Sequence, residues 1–465
     1  MKLDLVYNTT LNFDRYDRLI RTDETGQFTN AEWFYGPQDW LKVSNVVDFK
    51  KKINLYDNLR LINTYQFFEE SRNSRDFGSL IRSNNTEKLH AYNFNIDAEK
   101  KKSNHTIYYG LEYVFNTVNS TAFNLDISTN KKSGLTTRYP SGATWNSFAS
   151  YLVLNWDVNS KLALSGGIRY NYILLDAQFV NSELDFPFTE ANVNTGAFTG
   201  SAGATYKLSN KFLLKGNIGT AFRAPNIDDI GKINQDSELG TLIVPNPNLK
   251  PEYAYSSELS LLYKTSRHFF SIAGYYNFLD NAIFLDEFTL NGESSVLFEG
   301  ELSDVRASQN STNLFTYGIE VIGEASLFKN LKVKASLTIT KGEETQSDGD
   351  KVPVRHVSPT FGDAHLVYSK KKWRIDAYLD FNGGFNFDEL APSEQGKPDL
   401  FSIDDNGNPF LESWYTLNIK SQINLNKSLS LNIALENITD QRYRTYSSGI
   451  SAPGINFVSS LKYGF

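Results

Sequence analysis

Arg223 is followed within six residues by Asp228 and Asp229, and this triple opens the stretch richest in groups able to bind something. The stretch runs from Gly219 through Phe222-Arg223-Ala224-Pro225 to Asp228-Asp229, and on to Asn246-Pro247-Asn248-Leu249-Lys250-Pro251-Glu252. A guanidinium beside two carboxylates can hold a polar ligand, or it can staple its own loop shut. Pro225, Pro245, Pro247 and Pro251 stop strand pairing and fix bends, which a rigid loop explains without any ligand. Two further places offer polar groups: Arg355-His356 at the end of a long connection, and Tyr443 with Tyr446 beside Arg442 and Arg444. Trp33, Phe34, Tyr35 and Trp145 would offer ring faces to a planar ligand, and the arginines would meet anionic charge. None of these groups is arranged for catalysis. The chain has no nucleophile elbow, phosphate-cradling glycine loop or metal-spaced histidine pair, and its carboxylates are too dispersed for an acid–base pair. The expectation is a binding protein and not an enzyme, with no metal site and no cofactor of its own.

The composition narrows what could position such loops. Of 465 residues, 33 are Phe and 26 Tyr, more than a plain enzyme core needs, yet the mean hydropathy is −0.40. No run of about 18 apolar residues exists, so no membrane-spanning helix is expected. A membrane protein can be this polar on average if apolar residues take every second position, as in a barrel. The net charge of −7 and the lack of a basic stripe argue against a nucleic-acid partner. With no cysteine there is no disulfide framework or thiolate metal site, which fits an oxidising cell-envelope location.

Period-two alternation predicts strands almost throughout, and the last fifty residues show it best. Tyr415, Leu417, Ile419, Ile423 and Leu425 alternate with polar residues, then Leu429 to Leu435 do so after a tight Asn426-Lys427 turn. Phe457, Leu461, Tyr463 and Phe465 follow in a third strand, facing away from Asn456 and Lys462. Across the whole chain about eighteen strands are expected. Short turns are expected near 50–53, 100–104, 158–160, 209–210, 265–266, 329–330, 370–371 and 426–427. Long, polar, irregular connections are expected near 11–39, 70–86, 118–145, 176–194, 223–251, 285–312, 343–358, 384–412 and 438–453. Strict alternation of short and long connections is the habit of an outer-membrane β-barrel, with tight turns at the periplasm and long loops outside. The fold expected is therefore all-β: a transmembrane antiparallel barrel with lipid against its outer wall.

The loop boxes point further. Gly219, Phe222-Arg223-Ala224-Pro225, Asn246-Pro247-Asn248-Leu249-Lys250-Pro251-Glu252, Glu258, Leu435-Glu436-Asn437-Ile438-Thr439-Asp440 with Tyr443, and the closing Tyr463-Gly464-Phe465 resemble TonB-dependent outer-membrane receptors in order and spacing. Arg138 to Asn146 and Pro353 to Gly362 resemble family segments too. The resemblance implies a 22-stranded barrel around a plug, energised uptake of ferric siderophores, haem or cobalamin, contact with TonB, and terminal aromatics that serve the barrel-assembly machinery. Against that pattern, Met1-Lys2-Leu3 reads as no signal peptide, and no stretch reads as a plug. The expectation is thus an N-terminally incomplete receptor barrel over 1–465, about 18 of 22 strands. Haem receptors that resemble this chain place a histidine between the two boxes; none stands from Asn226 to Pro245, which turns the expectation toward a ferric siderophore. A passive porin-like channel and a surface-binding barrel stay open.

Overall fold

The computed structural model describes residues 1–464 except 24, 180–183, 237–239, 311–312, 346–348 and 397–399. Eighteen strands, each hydrogen-bonded antiparallel to the next, form one continuous sheet among the described residues. They are β1 (Lys2–Thr9), β2 (Asp39–Phe49), β3 (Asn58–Asp76), β4 (Ile81–Lys102), β5 (His105–Asp126) and β6 (Ala143–Asp157). Next come β7 (Leu162–Gln178), β8 (Glu190–Lys207), β9 (Phe212–Arg223), β10 (Glu252–Lys264), β11 (His268–Asp280) and β12 (Asn313–Phe328). The last are β13 (Leu331–Thr345), β14 (Phe361–Lys370), β15 (Trp373–Asn382), β16 (Trp414–Asn424), β17 (Leu429–Glu436) and β18 (Asn456–Tyr463). All eight expected short turns mark junctions of consecutive strands in this set, although β4 runs on through 100–102 and β14 through 370; at the last, Asn426 Oδ1 accepts the Ser428 and Leu429 amides at 2.8 Å. Phe465 lies outside the described residues, so its expected place at the end of the last strand goes undescribed.

The two faces differ as a barrel wall requires. One carries Ile168, Phe198, Ile218 and Leu259, which stay 60–75% exposed despite their size; a lipid-facing wall leaves such side chains outward. The other carries ion pairs and hydrogen bonds between strands: Arg60–Asp48 at 2.7 Å joins neighbours, while Arg169–Glu112 at 2.5 Å and Tyr151 Oη to Asp97 at 2.6 Å each reach across one intervening strand. This inner face also uses glycine. A Cβ on Gly110 would stand 2.6 Å from a Tyr151 ring carbon, so the tyrosine can lie flat across the strand only because Gly110 has none.

Three expected connections are corrected. Positions 70–86 are not a long irregular stretch: β3 and β4 run through them and are joined by 77–80 alone. Ser71-Arg72-Asn73-Ser74-Arg75 is polar on both faces because that part of the hairpin rises out of the lipid, and the alternation that marks a strand in the membrane ends there. Residues 118–145 are likewise half strand, since β5 continues to Asp126 and β6 begins at Ala143. Positions 285–310 fold largely as sheet: Ile283–Glu287 and Ser295–Phe298 each pair antiparallel with Glu301–Asn310, and Thr241–Ile243 adds to Glu301–Asn310 in parallel, while 311–312 of that expected connection lie outside the described residues. This small sheet buries Leu242, Val244, Leu290, Phe298 and Val305 in a core of its own.

Candidate functional site

The boxes around Arg223 are held by their own atoms. Arg223 ends β9 and its Nε donates to Glu252 Oε2 at the start of β10, while Nη1 donates to Asp229 at 2.6 Å. Glu252 Oε1 also accepts the Ile283 amide at 2.6 Å, tying the strand pair to the loop sheet. Asn226 caps the one-turn helix Ile227–Ile230, and Asp229 accepts the Asn226 amide in return, a reciprocal capping box. Ala224 and Pro225 are buried, Leu249 packs beside them, and Phe222 lies 5.7 Å from the Tyr253 ring. Asn246 is clamped to the Ser308 carbonyl at 2.8 Å and accepts the Asn248 amide. Pro247 and Pro251 set the bends on either side, and Asn310 holds the Lys250 amide and carbonyl. The side chains of Arg223, Asp229, Asn246 and Glu252 are thus engaged within the motif or with the loop sheet beside it. What the stapled loop does is place its far end.

Arg355, His356, Tyr443 and Tyr446 belong to other loops. The Tyr446 hydroxyl accepts the His356 amide at 3.1 Å and donates to Glu394 Oε2 at 2.8 Å, and Glu394 is wholly buried. Burial, then that hydrogen bond to Glu394, raises the Tyr446 phenol well above its usual range. His356 takes a left-handed backbone, φ 66°, to make the contact. Tyr443 instead stacks on Trp414, ring centroids 4.3 Å apart. Leu390, Phe401 and Leu411 form a small core behind this group, with Tyr446 packed on it.

The stapled motif leads to a cavity of about 520 Å³ at the loop end of the inner face. Its walls come from seven separate segments: Arg15 and Arg18, Trp33 and Tyr35, Arg72 to Ser74 with Asp76, Ser83 and Asn85, Arg138, Lys232 to Gln235, and Phe298 with Glu299. Five cations line it (Arg15, Arg18, Arg72, Arg138, Lys232) against two carboxylates, Asp76 and Glu299. The arginines are aimed by partners behind them. Arg15 Nε donates to Asp17 at 2.7 Å and Nη1 to the Tyr35 hydroxyl at 2.9 Å, its guanidinium 5.3 Å from the Trp33 ring. Arg72 is held by Glu70 and by Glu87 at 2.9 Å, and lies over Tyr35. Arg138 donates to Asn234 at 2.6 Å and to the Tyr139 hydroxyl at 3.1 Å. Fixed guanidinium forks beside ring faces suit an anionic, planar group. Of these side chains, only Trp33 and Tyr35 were singled out individually as ligand-contacting residues from sequence. The cations sit far apart in the chain, and only the fold gathers them; the resemblance of the Arg138 to Asn146 segment to the family was the one available signal.

Asp228 locks the cavity to the motif. Its carboxylate accepts the Tyr139 hydroxyl at 2.6 Å and faces Lys232 at 3.6 Å and Arg138 at 3.9 Å. Burial pushes the Asp228 carboxyl up, but the Tyr139 bond and the two cations outweigh it and the net shift is downward. Tyr139 moves the other way, to about 12, through burial and the Asp228 charge. The lowered carboxyl adds stability that is full above its ordinary value near 3.8 and disappears as pH falls through the lower folded value. The raised phenol adds stability that is full below 10.0 and disappears as pH rises toward 12. Tyr139→Phe should therefore remove one late tyrosinate step, near pH 12, from a spectrophotometric titration and leave the steps near pH 10 in place.

The profile of the β-barrel of TonB-dependent receptors matches residues 2–438. Among curated proteins, the chain is similar to hemoglobin-haptoglobin utilization protein B of Neisseria meningitidis serogroup A, 26% identical over 325 residues, 62% of this chain and 38% of that protein. It is 22% identical to the vitamin B12 transporter BtuB of Vibrio vulnificus over 57% of this chain and 36% of BtuB. The chain thus spans less than half the length of these relatives. Among solved structures it superposes on the copper transporter OprC with TM-score 0.74 at 14% identity, covering 93% of this chain and 66% of that one. Alternating faces, eighteen antiparallel strands and the profile match agree: this chain belongs to the family of TonB-dependent outer-membrane receptors, in their β-barrel region.

Proposed function

We propose that this barrel takes part in TonB-energised uptake of an anionic iron complex, a ferric siderophore first among them, captured at the loop end of the lumen. The arginine-lined cavity carries this reading, because Arg15, Arg72 and Arg138, each oriented by its partners beside Trp33 and Tyr35, suit a carboxylate- or catecholate-bearing complex. Arg223, Asp228 and Asp229 serve the site by holding the loop that presents Lys232 and Asn234. Tyr443, Tyr446, Arg355 and His356 would add contacts to the cargo from other loops. Tyr463 and Phe465 would serve barrel assembly. Hemoglobin appears in the name of one relative and B12 in another's, so haem and cobalamin are the competing cargoes.

Uptake by cells of labelled ferric siderophores, haem and cobalamin, with and without the gene, tests the reading. Arg138→Glu should lower siderophore binding at least about tenfold, since it removes one charge-assisted contact and adds a like charge to the ligand's. Uptake of every iron complex unchanged by loss of the gene would overturn the proposal. Steady ion conductance through this chain in a planar bilayer, with no cargo uptake, would favour the passive channel instead.

A further inference from the structure

A second concavity lies on the other side of the wall. A groove of about 860 Å³ crosses the lipid-facing surface from β7 to β13. Its floor is made of residues too small to fill the pleat: Ala202, Ala204, Gly216, Ser257 and Gly274. A Cβ added at Gly274 would meet nothing within 4 Å, so the floor there is open space. Ile218, Leu259 and Ile319 form the sides, each about half exposed or more.

Register shows where the groove ends. Ala202 pairs with Ile218, Ile218 with Ser257, Ser257 with Tyr276, Tyr276 with Tyr317, and Tyr317 with Lys341. One row of side chains thus runs from a bare floor to two phenols and then to an ammonium. Lys341 is the eleventh residue of β13. At about 2.5 Å of height per residue for a tilted strand, that is roughly 25 Å above the turn, the upper edge of the apolar band. The next residues on this face confirm the level: Glu343 is 3.9 Å from Lys351, and Lys351 lies over the Phe315 ring, a polar zone with an aromatic belt. Lys341 is exposed and makes no ion pair among the described residues.

We propose that this groove is a binding site for one membrane lipid of the outer leaflet, an acyl chain lying over Gly274 and Gly216 and an anionic phosphate head on Lys341. Hydrocarbon is the only medium this face meets, and an open groove in it is filled by chains that lose little by ordering there. The single cation at the groove's upper end, flanked by Tyr276 and Tyr317, fits a phosphate and not a neutral head group. The occupant is a lipid rather than a second protein because the apolar groove ends on a single charge at the head-group level.

The test is native mass spectrometry of the chain in mild detergent, with bound phosphate-bearing lipid counted per chain. Lys341→Gln should lower retention of that lipid about fivefold, the worth of one lysine at the head-group surface. Gly274→Leu, which fills the floor without a backbone clash, should lower it as much while the chain keeps its heat-modifiable mobility on gels. Lys351→Gln, outside the groove, should leave retention unchanged. Equal retention in all four proteins, retention of neutral lipid in equal amount, or a dimer that Gly274→Leu dissolves would each overturn the proposal.

Discussion

Arginine in place of Ile168 will destabilise the barrel by about 2–4 kcal/mol, the cost of a cation on the lipid face near the bilayer midplane. Ile168 is the seventh residue of β7, roughly 15 Å above its turn and so close to the middle of a band about 25 Å tall. Its side chain is 62% exposed to what must be hydrocarbon, and its strand neighbours Leu152 and Gly200 offer no counter-charge. The matched control is Asn217→Arg. Asn217 pairs with Gly203 and with Glu258 on the inner face, where a new cation gains a carboxylate neighbour. That change should cost less than about 1 kcal/mol. Urea unfolding of protein refolded into lipid vesicles, followed by tryptophan fluorescence, reads both. Because side chains alternate with a period of two, a one-residue error in register would exchange the two results. Equal costs would mean that neither face is lipid.

Glu252→Ala is the second large effect. It strips Arg223 Nε and the Ile283 amide of their acceptor at once, and among the described residues it leaves Asp229 to hold the guanidinium. Removing one member of a fully buried ion pair costs about 3–5 kcal/mol. Arg223 is 43% exposed, so solvent screens part of this, and about 2–3 kcal/mol is expected. The damage should be local. Amide exchange at Ile283 and along 226–236 should accelerate, and protease should cut between β9 and β10, while the strands in lipid stay protected. Glu252→Gln keeps an acceptor for Ile283 and should recover a good part of the loss. If exchange in the loop is unchanged by Glu252→Ala, the stapling role of the motif is wrong.

The membrane part of the fold was legible because lipid imposes a rule on each residue separately. Leu417 and Ile419 face out, Asn418 and Lys420 face in, and a reader needs only the period of two to see it. The rule lapses where the wall leaves the bilayer, and there β3 and β4 read as loop although Arg72 and Asn85 sit in regular strands, directly paired. The loop sheet was hidden for another reason. Leu297 and Leu302 are about 70% exposed at its edge while Leu242 and Val305 are buried, so its apolar residues do not mark one face. For the site, the motif was legible and its purpose was not. The proline-rich boxes show that a bend is fixed, yet nothing local says that the bend delivers Lys232 opposite Arg15 and Arg72. Contacts across more than a hundred residues carry that fact.

The uneven length of the strands has its own consequence. β4 and β5 have 22 residues each and β17 and β18 have 8, which at one tilt means heights of about 55 Å and 20 Å. The mouth is therefore slanted like a cut reed, with a palisade standing clear of the surface on one flank only. Antibodies raised against the hairpin tip at 77–80 should stain living cells, and a bulky visitor such as a phage tail would meet that crest before it met the cavity.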